Sequence, residues 1–560
     1  MLYPKSNKYR EVFSLNGIWK FKPVTDDFVP TNESADSQLI PVPASFNEIV
    51  TDKNIKNYEG KVLYETTFSF PVNQNKLYRL RIGATSHKCE IYFNGEKIGV
   101  GINGFYPIDL PLENLLEVNR LSVVIDNRLT FQCLPVGRFV NGKQVINHDF
   151  YNFTGIHRDV LIYSLPKNYI KDIIINTVVN NDYEKISVTV DTDCKNISYT
   201  VINAQKQVVV KSESGNITIK NPNLWSPESP YLYTLIVETE CDKYEERFGI
   251  RKVEVTSTAF LLNDKPVYFK GFGLHEDFIL SGKGNNSAVN IRNFELLKWI
   301  NANSFRTSHY PYSEEIMDLA DEYGILVIDE VPAVCMKWWE GYNFGENRVD
   351  EQTKVLHKEL IKQLIERDKN HPSVVMYSLM NEPESAEEEA REYCLDVFDY
   401  TRALTKLPLT FANCAYFGQC KCSDIPDVIC INRYYGWYDY HADIDCIAKH
   451  LQKEITDFNT TYNKPVFLTE FGADTVEGVH SLPSETFSEE FQLEIIEETC
   501  NVLDKLPYCI GEHVWHLADF KTKQGLTRVR GNRKGVFTRD RQPKMAAHFL
   551  RRRWKNFNKF

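Results

Sequence analysis

After residue 256 the chain changes rhythm, and few folds permit the new one. Short apolar runs at 267–272, 304–306, 326–329, 374–378, 409–413, 428–432, 466–469 and 509–514 alternate with helix-period stretches. In the stretch 351–370, for example, Leu356, Leu360 and Leu364 fall on one face. Eight strands with intervening helices in roughly 300 residues predict a (β/α)8 barrel. A doubly wound sheet would give similar runs, so the expectation rests on the strand count. In such a barrel the active site lies at the carboxyl ends of the strands.

Two of these runs lead into a glutamate: Ser378-Leu379-Met380-Asn381-Glu382-Pro383 and Phe467-Leu468-Thr469-Glu470-Phe471-Gly472. A strand ending in a carboxylate builds a core badly but places an acid well at a barrel mouth. Alone, either could be a solvated strand-end acid. Together, after the fourth and seventh runs, they are the minimum equipment for cleaving a glycosidic bond by acid/base and nucleophilic catalysis.

The first half reads as β. Residues 1–165 carry short alternating strands with Asn94-Gly95 and Asn141-Gly142 as hairpin turns, which suggests a jelly-roll sandwich. Residues 166–255 carry a further set around the Pro-rich connection 221–230, which suggests a small immunoglobulin-like sandwich. With a barrel over 256–560, the expectation is a multidomain α+β chain with no appended carbohydrate-binding or cofactor domain.

Composition removes several partners. A net charge of −11 opposes nucleic acid and anionic membrane surfaces. Residues 1–20 lack the apolar core of a secretion signal, and no apolar stretch approaches a membrane span, so a cytoplasmic protein is expected. Of the 13 cysteines, Cys89, Cys430 and Cys509 sit inside apolar runs and read as small buried hydrophobes of a reducing compartment. Cys420-Lys421-Cys422 lacks the second pair that a zinc site needs. No metal or organic cofactor is expected.

The chain resembles glycoside hydrolase family 2, and within it the β-glucuronidases, over essentially its whole length. The strings that carry the resemblance include Asn152-Phe153-Thr154-Gly155-Ile156-His157-Arg158, Arg306-Thr307-Ser308-His309-Tyr310-Pro311, Asn432-Arg433-Tyr434-Tyr435-Gly436-Trp437-Tyr438 and Gly511-Glu512-His513-Val514-Trp515. The resemblance implies a retaining hydrolase that removes terminal β-D-glucuronic acid from small-molecule or oligosaccharide glucuronides. Glu382 would be the general acid/base and Glu470 the nucleophile, in a geometry that holds the carboxyls about 5–5.5 Å apart. Asn381 resembles the asparagine that bonds the sugar 2-hydroxyl. Asn532 and Lys534 match the Asn-x-Lys element that grips the sugar carboxylate, one supplying a neutral donor and the other a charge. A basic surface loop is the plainer reading of that segment, since Arg528, Arg530 and Arg533 crowd it. Asp149 would reach in from the first β domain, and His309, Tyr435, Tyr438, Trp515 and Arg528 would line the sugar site, with Tyr435 close enough to orient the nucleophile. Glu330 reads as a structural ion pair. A homo-oligomer, tetramer or dimer, is also implied.

Two departures stand out. Phe471 follows the nucleophile where tyrosine is the common choice, and the segment 335–350 is short, which leaves Trp338, Trp339 and Tyr342 as an open aromatic platform for larger aglycones. The same acids and clamp would also serve a β-galacturonidase, with Asp149 and Arg528 deciding between the two sugars. A neutral-sugar glycosidase of the same family would not need Asn532 and Lys534. A non-catalytic sugar-binding protein would not need both Glu382 and Glu470.

Overall fold

Strands buried on both faces carry no solvent-facing polar side, and seven of the eight apolar runs are buried at every position. The computed structural model, which describes residues 2–336, 349–555, 557 and 559, closes these runs into a parallel barrel. Its strands are β1 (Phe269–Gly273), β2 (Ser304–Arg306), β3 (Leu326–Glu330), β4 (Val374–Asn381), β5 (Leu409–Asn413), β6 (Ile429–Asn432), β7 (Val466–Glu470) and β8 (Cys509–Val514). β8 pairs back onto β1 through Phe269↔Gly511 and its successors, which excludes the doubly wound alternative. The first run starts later than its hydrophobicity suggests, because Lys265–Val267 belongs to a separate antiparallel ribbon. At Gly271 a Cβ would meet the Ser304 carbonyl oxygen at 1.9 Å, so the approach of β1 to β2 requires glycine.

The helices begin and end on local chemistry. Glu351–Asp368 opens with a capping box of Asp350 and Thr353 and buries Leu360, Ile361, Leu364 and Ile365 against the barrel. Glu314–Tyr323 is capped by Ser313 and stops at Gly324, whose φ of 68° suits the left-handed region. Among the described residues no helix separates β5 from β6, and no helix is long and apolar enough to cross a membrane.

Ahead of the barrel stand two β-sandwiches. The first packs a four-stranded sheet on a six-stranded one around Trp19, Phe21, Tyr64, Leu80, Ile91 and Val123. Both predicted hairpins form, with positive φ at Asn94, Gly95, Asn141 and Gly142 as their tight turns demand. The second sandwich, over strands from Ile170–Val179 to Lys243–Phe248, has its own core of Ile173, Val201, Leu235 and Tyr244. Cys194 and Cys241 pair there as a disulfide, a bridge that the sequence reading did not anticipate. Cys89, Cys430 and Cys509 are free and buried, as small hydrophobes are.

Neither sandwich is independent of the barrel. Phe105, Tyr106, Leu134, Val136 and Phe150 from the first join the barrel's main apolar cluster. Trp225 of the second is fully buried beside Phe269, Leu326 and Phe467, and its indole N–H donates to the Asp321 carbonyl at 2.9 Å. Arg158 bridges the first sandwich to the barrel, donating to the Pro311 carbonyl at 2.6 Å and lying 3.3 Å from the Glu276 carboxylate.

Candidate active site

The carboxyl ends of the strands supply a row of polar residues: Arg306 closes β2, Glu330 β3, Asn381 β4, Asn432 β6 and Glu470 β7. Glu382 follows β4 directly. Its φ is 48°, a left-handed conformation that a glutamate adopts only where its surroundings impose it, and its N–H donates to the Ala412 carbonyl at 2.7 Å. Glu382 and Glu470 line one cavity of about 770 Å³, a size that encloses drug-sized ligands.

Glu470 is held from three directions. The Arg306 guanidinium bonds its Oε1, Tyr434 donates its hydroxyl to Oε2 at 2.7 Å, and His309 Nε2 lies 3.9 Å from Oε1. Burial raises its pKa above the ordinary carboxylate value, the Arg306 charge opposes that rise, and the charge of Glu382 adds to it. Arg306 also bonds Glu330 at 2.7 and 2.9 Å, and His309 Nδ1 bonds Glu330 at 2.8 Å. Glu330 is fully buried in this network, and Arg306 holds its pKa below the ordinary value against its burial. That is the ion pair expected from the sequence. Asn432 Nδ2 donates to Glu382 Oε1 at 3.0 Å and to Asn381 Oδ1 at 3.2 Å, tying the two residues at the end of β4 to β6.

A second cluster closes the other side. Asp149, from the first sandwich, accepts from Arg528 at 2.7 Å and from Asn532 Nδ2 at 3.0 Å. Lys534 is 1% exposed, bonds Asp474, and donates to the Tyr438 hydroxyl at 2.8 Å. Arg528 donates to the same hydroxyl at 2.7 Å. A buried lysine and a partly buried arginine thus converge on one hydroxyl at the cavity edge, which places two cationic donors in one corner. His309 and Trp515 stack with centroids 5.1 Å apart, and both line the cavity.

The structure therefore brings together Glu382, Glu470, Asp149, His309, Asn381, Tyr438, Trp515, Arg528, Asn532 and Lys534. It does not bring in Tyr435. That hydroxyl turns outward to Glu454 at 3.0 Å and its ring stacks on His450, so the tyrosine on the nucleophile is its neighbour Tyr434. Arg306, Asn432, Tyr434 and Asp474 were not read as site residues. Arg306 and Asn432 carried the signal that revealed Glu470, a polar residue closing an apolar strand. Trp338, Trp339 and Tyr342, the expected aromatic platform, lie outside the described residues.

Among the described residues, Asp318, Asp321 and His371 are the only trio with metal-ligand spacing, and they lie away from this cavity. Burial works against a charge on His371, but the Asp321 carboxylate 2.6 Å away raises its pKa to about 10. An imidazolium has no free lone pair for a metal.

Comparisons with known proteins bear on the whole chain. "Glycosyl hydrolases family 2, sugar binding domain" matches residues 12–166, "Glycosyl hydrolases family 2" matches 156–251, and "Glycosyl hydrolases family 2, TIM barrel domain" matches 253–559. A β-glucuronidase of Paenibacillus borealis is 40% identical over 99% of this chain and 98% of its own. The solved β-glucuronidase of an uncultured Clostridium sp. superposes with a TM-score of 0.96 at 43% identity, covering 100% of both chains. That of Ruminococcus gnavus, in complex with D-glucaro-d-lactam, superposes with a TM-score of 0.92 at 37% identity over 99% of both.

Proposed function

The chain belongs to glycosyl hydrolase family 2, and from that premise we infer that it works as a retaining β-glucuronidase, with the residue roles that follow. The observation that carries this reading is one cavity lined by a carboxylate pair at one side and by Tyr438, Arg528 and Asn532 at the other, with buried Lys534 bonded to Tyr438 directly behind them.

A glucuronide enters with its C6 carboxylate toward Lys534, Asn532 and Arg528. Lys534 spends two donors on Asp474 and Tyr438, which fix its direction and leave one N–H for the substrate. Asp149, held by Arg528 and Asn532, presents an acceptor to the sugar hydroxyls. Asn381 meets the 2-hydroxyl, a bond that strengthens as the ring approaches the oxocarbenium-like transition state. Glu470 attacks the anomeric carbon from its Arg306 and Tyr434 supports. Glu382, held by Asn432, gives its proton to the departing oxygen and then takes one from the water that hydrolyses the glycosyl-enzyme bond.

Release of p-nitrophenol from the β-glucuronide, β-galacturonide and β-glucoside tests this, with Glu470→Gln alongside. Fast turnover of the glucuronide alone, lost in the variant, is expected. Comparable galacturonide turnover would rename the sugar and keep the mechanism; glucoside preference would remove the clamp.

The reading extends to a homo-oligomer, dimer or tetramer, tested by a light-scattering mass of two or four times that of one chain. It also includes a cytoplasmic location, tested by cell fractionation. Disulfides persist in oxidising surroundings, so protein taken from cytosol should hold Cys194 and Cys241 reduced.

A further inference from the structure

Thr469 stands one residue before Glu470 in β7 and is fully buried. The register between β6 and β7 shifts at this point. Ile431 pairs with Leu468, the next residue Asn432 pairs with Glu470, and Thr469 is left out of the ladder. A bulge of this kind re-aims a side chain. Here the Thr469 hydroxyl reaches β6, 2.9 Å from Asn432 Oδ1 and 3.0 Å from the Ile431 carbonyl oxygen. Donor and acceptor types then fix the contacts that follow. A guanidinium only donates, so Asn381 presents its Oδ1 to Arg306 Nη1 at 3.4 Å. The same oxygen accepts from Asn432 at 3.2 Å, so Asn432 has to offer its NH2 on that side. That NH2 also donates to Glu382 Oε1 at 3.0 Å. The Asn432 oxygen is thereby turned to Thr469, whose hydroxyl gives it a donor. Arg306, Asn381, Asn432 and Thr469 are each at most 3% exposed, so water has little access to replace these bonds.

We propose that Thr469 is a positioning residue for proton transfer: through the Asn432 amide it holds the Glu382 carboxyl at the angle that delivers its proton to the leaving oxygen. This role rests on the reading of Glu382 as the acid/base. In that step the proton passes from Glu382 to the glycosidic oxygen as the anomeric C–O bond breaks and Glu470 takes the anomeric carbon. With the hydroxyl gone, the Asn432 oxygen loses its donor and the amide is free to turn. A turned amide sets oxygen against Glu382 in place of the NH2, and the bond that orients the carboxyl is lost. Glu470 keeps its own supports, Arg306 and Tyr434.

The test is Thr469→Val, which keeps the shape and removes the hydroxyl, assayed as kcat/KM on methyl β-glucuronide and on p-nitrophenyl β-glucuronide. Methoxide needs a proton to depart, and p-nitrophenolate hardly does. kcat/KM should fall about tenfold on the methyl compound and less than about twofold on the aryl one, a part of the roughly 10²–10⁴-fold that general acid catalysis supplies. Thr469→Ser, which keeps the hydroxyl, should hold both rates near those of the unaltered enzyme. Thr469→Ala, which also lacks the hydroxyl, takes the place of a valine variant that does not fold. An equal fall on both substrates, as a displaced Glu470 would give, overturns the proposal. So does an unchanged rate on both, or a serine variant that behaves as the valine one. Glu382→Gln, run alongside, should show the same split more strongly. Its absence there would remove Glu382 as the acid and the proposal with it, whereas a split in Glu382→Gln alone overturns only the role of Thr469.

Discussion

At the scale of single residues, Glu470 is balanced between opposed fields. Burial raises its pKa, while Arg306 and the Tyr434 hydroxyl favour its charged form. A nucleophile must be ionised, so kcat/KM falls as pH drops through this pKa. Tyr434→Phe removes one hydrogen bond to the carboxylate, which raises the pKa further. The acid limb of the pH profile should move to higher pH, and an unmoved limb would take Tyr434 off the nucleophile. Glu382→Gln should lower kcat/KM on alkyl glucuronides by roughly 10²–10⁴-fold, the range of general acid catalysis. Aryl glucuronides with acidic phenols need less protonation, so their loss should be much smaller in the same assay. Lys534→Met removes a charged donor worth about 1.5–3 kcal/mol. Turnover of the glucuronide should fall about 10- to 100-fold, with the glucoside rate little changed.

At the scale of elements, what was legible in the sequence follows from how each element is specified. A buried parallel strand is mostly apolar even where it carries a buried polar residue such as Thr410 or His513, so every barrel strand announced itself. The chemistry at its end is announced by the polar residues that close the run or follow it within a few positions, which gave Glu382 and Glu470 and would also have given Arg306 and Asn432. Loop residues carry no such periodicity. Tyr434 and Tyr435 are adjacent and alike, and only the path of the backbone after β6 sends one to Glu470 and the other to Glu454. The Cys194–Cys241 bridge was hidden for the same reason, since 47 residues separate its ends and only folding brings them together. Gly271 marks a constraint of the opposite kind, in which a missing side chain sets an element's position. Gly271→Ala puts a Cβ against the Ser304 carbonyl, and overpacking of this sort costs about 1–3 kcal/mol. A lower unfolding temperature by calorimetry is expected, with the glucuronide KM almost unchanged because the clash lies away from the cavity lining.

At the scale of the whole molecule, the site is a joint product of barrel and first sandwich. Asp149 arrives from one and meets Arg528 and Asn532 from the other, so the sugar corner exists only while the two stay in register. Arg158 is a main tie between them, 4% exposed and shared among Phe105, Pro311 and Glu276. Arg158→Ala would leave the buried Glu276 carboxylate without this partner, and breaking such a pair costs about 3–5 kcal/mol. The loss should fall on the junction more than on either core, because the sandwich keeps its own apolar cluster around Trp19 and Ile91. Calorimetry should then resolve two unfolding steps where the unaltered protein gives one. Glucuronide turnover should fall below the temperature of the first step, although no group that touches substrate has changed. The drop should appear mainly in KM, since Asp149 binds sugar hydroxyls while Glu382 and Glu470 remain fixed to the barrel. A single unfolding step with unchanged KM would show that the apolar contacts of Phe105, Tyr106 and Phe150 hold the register without Arg158.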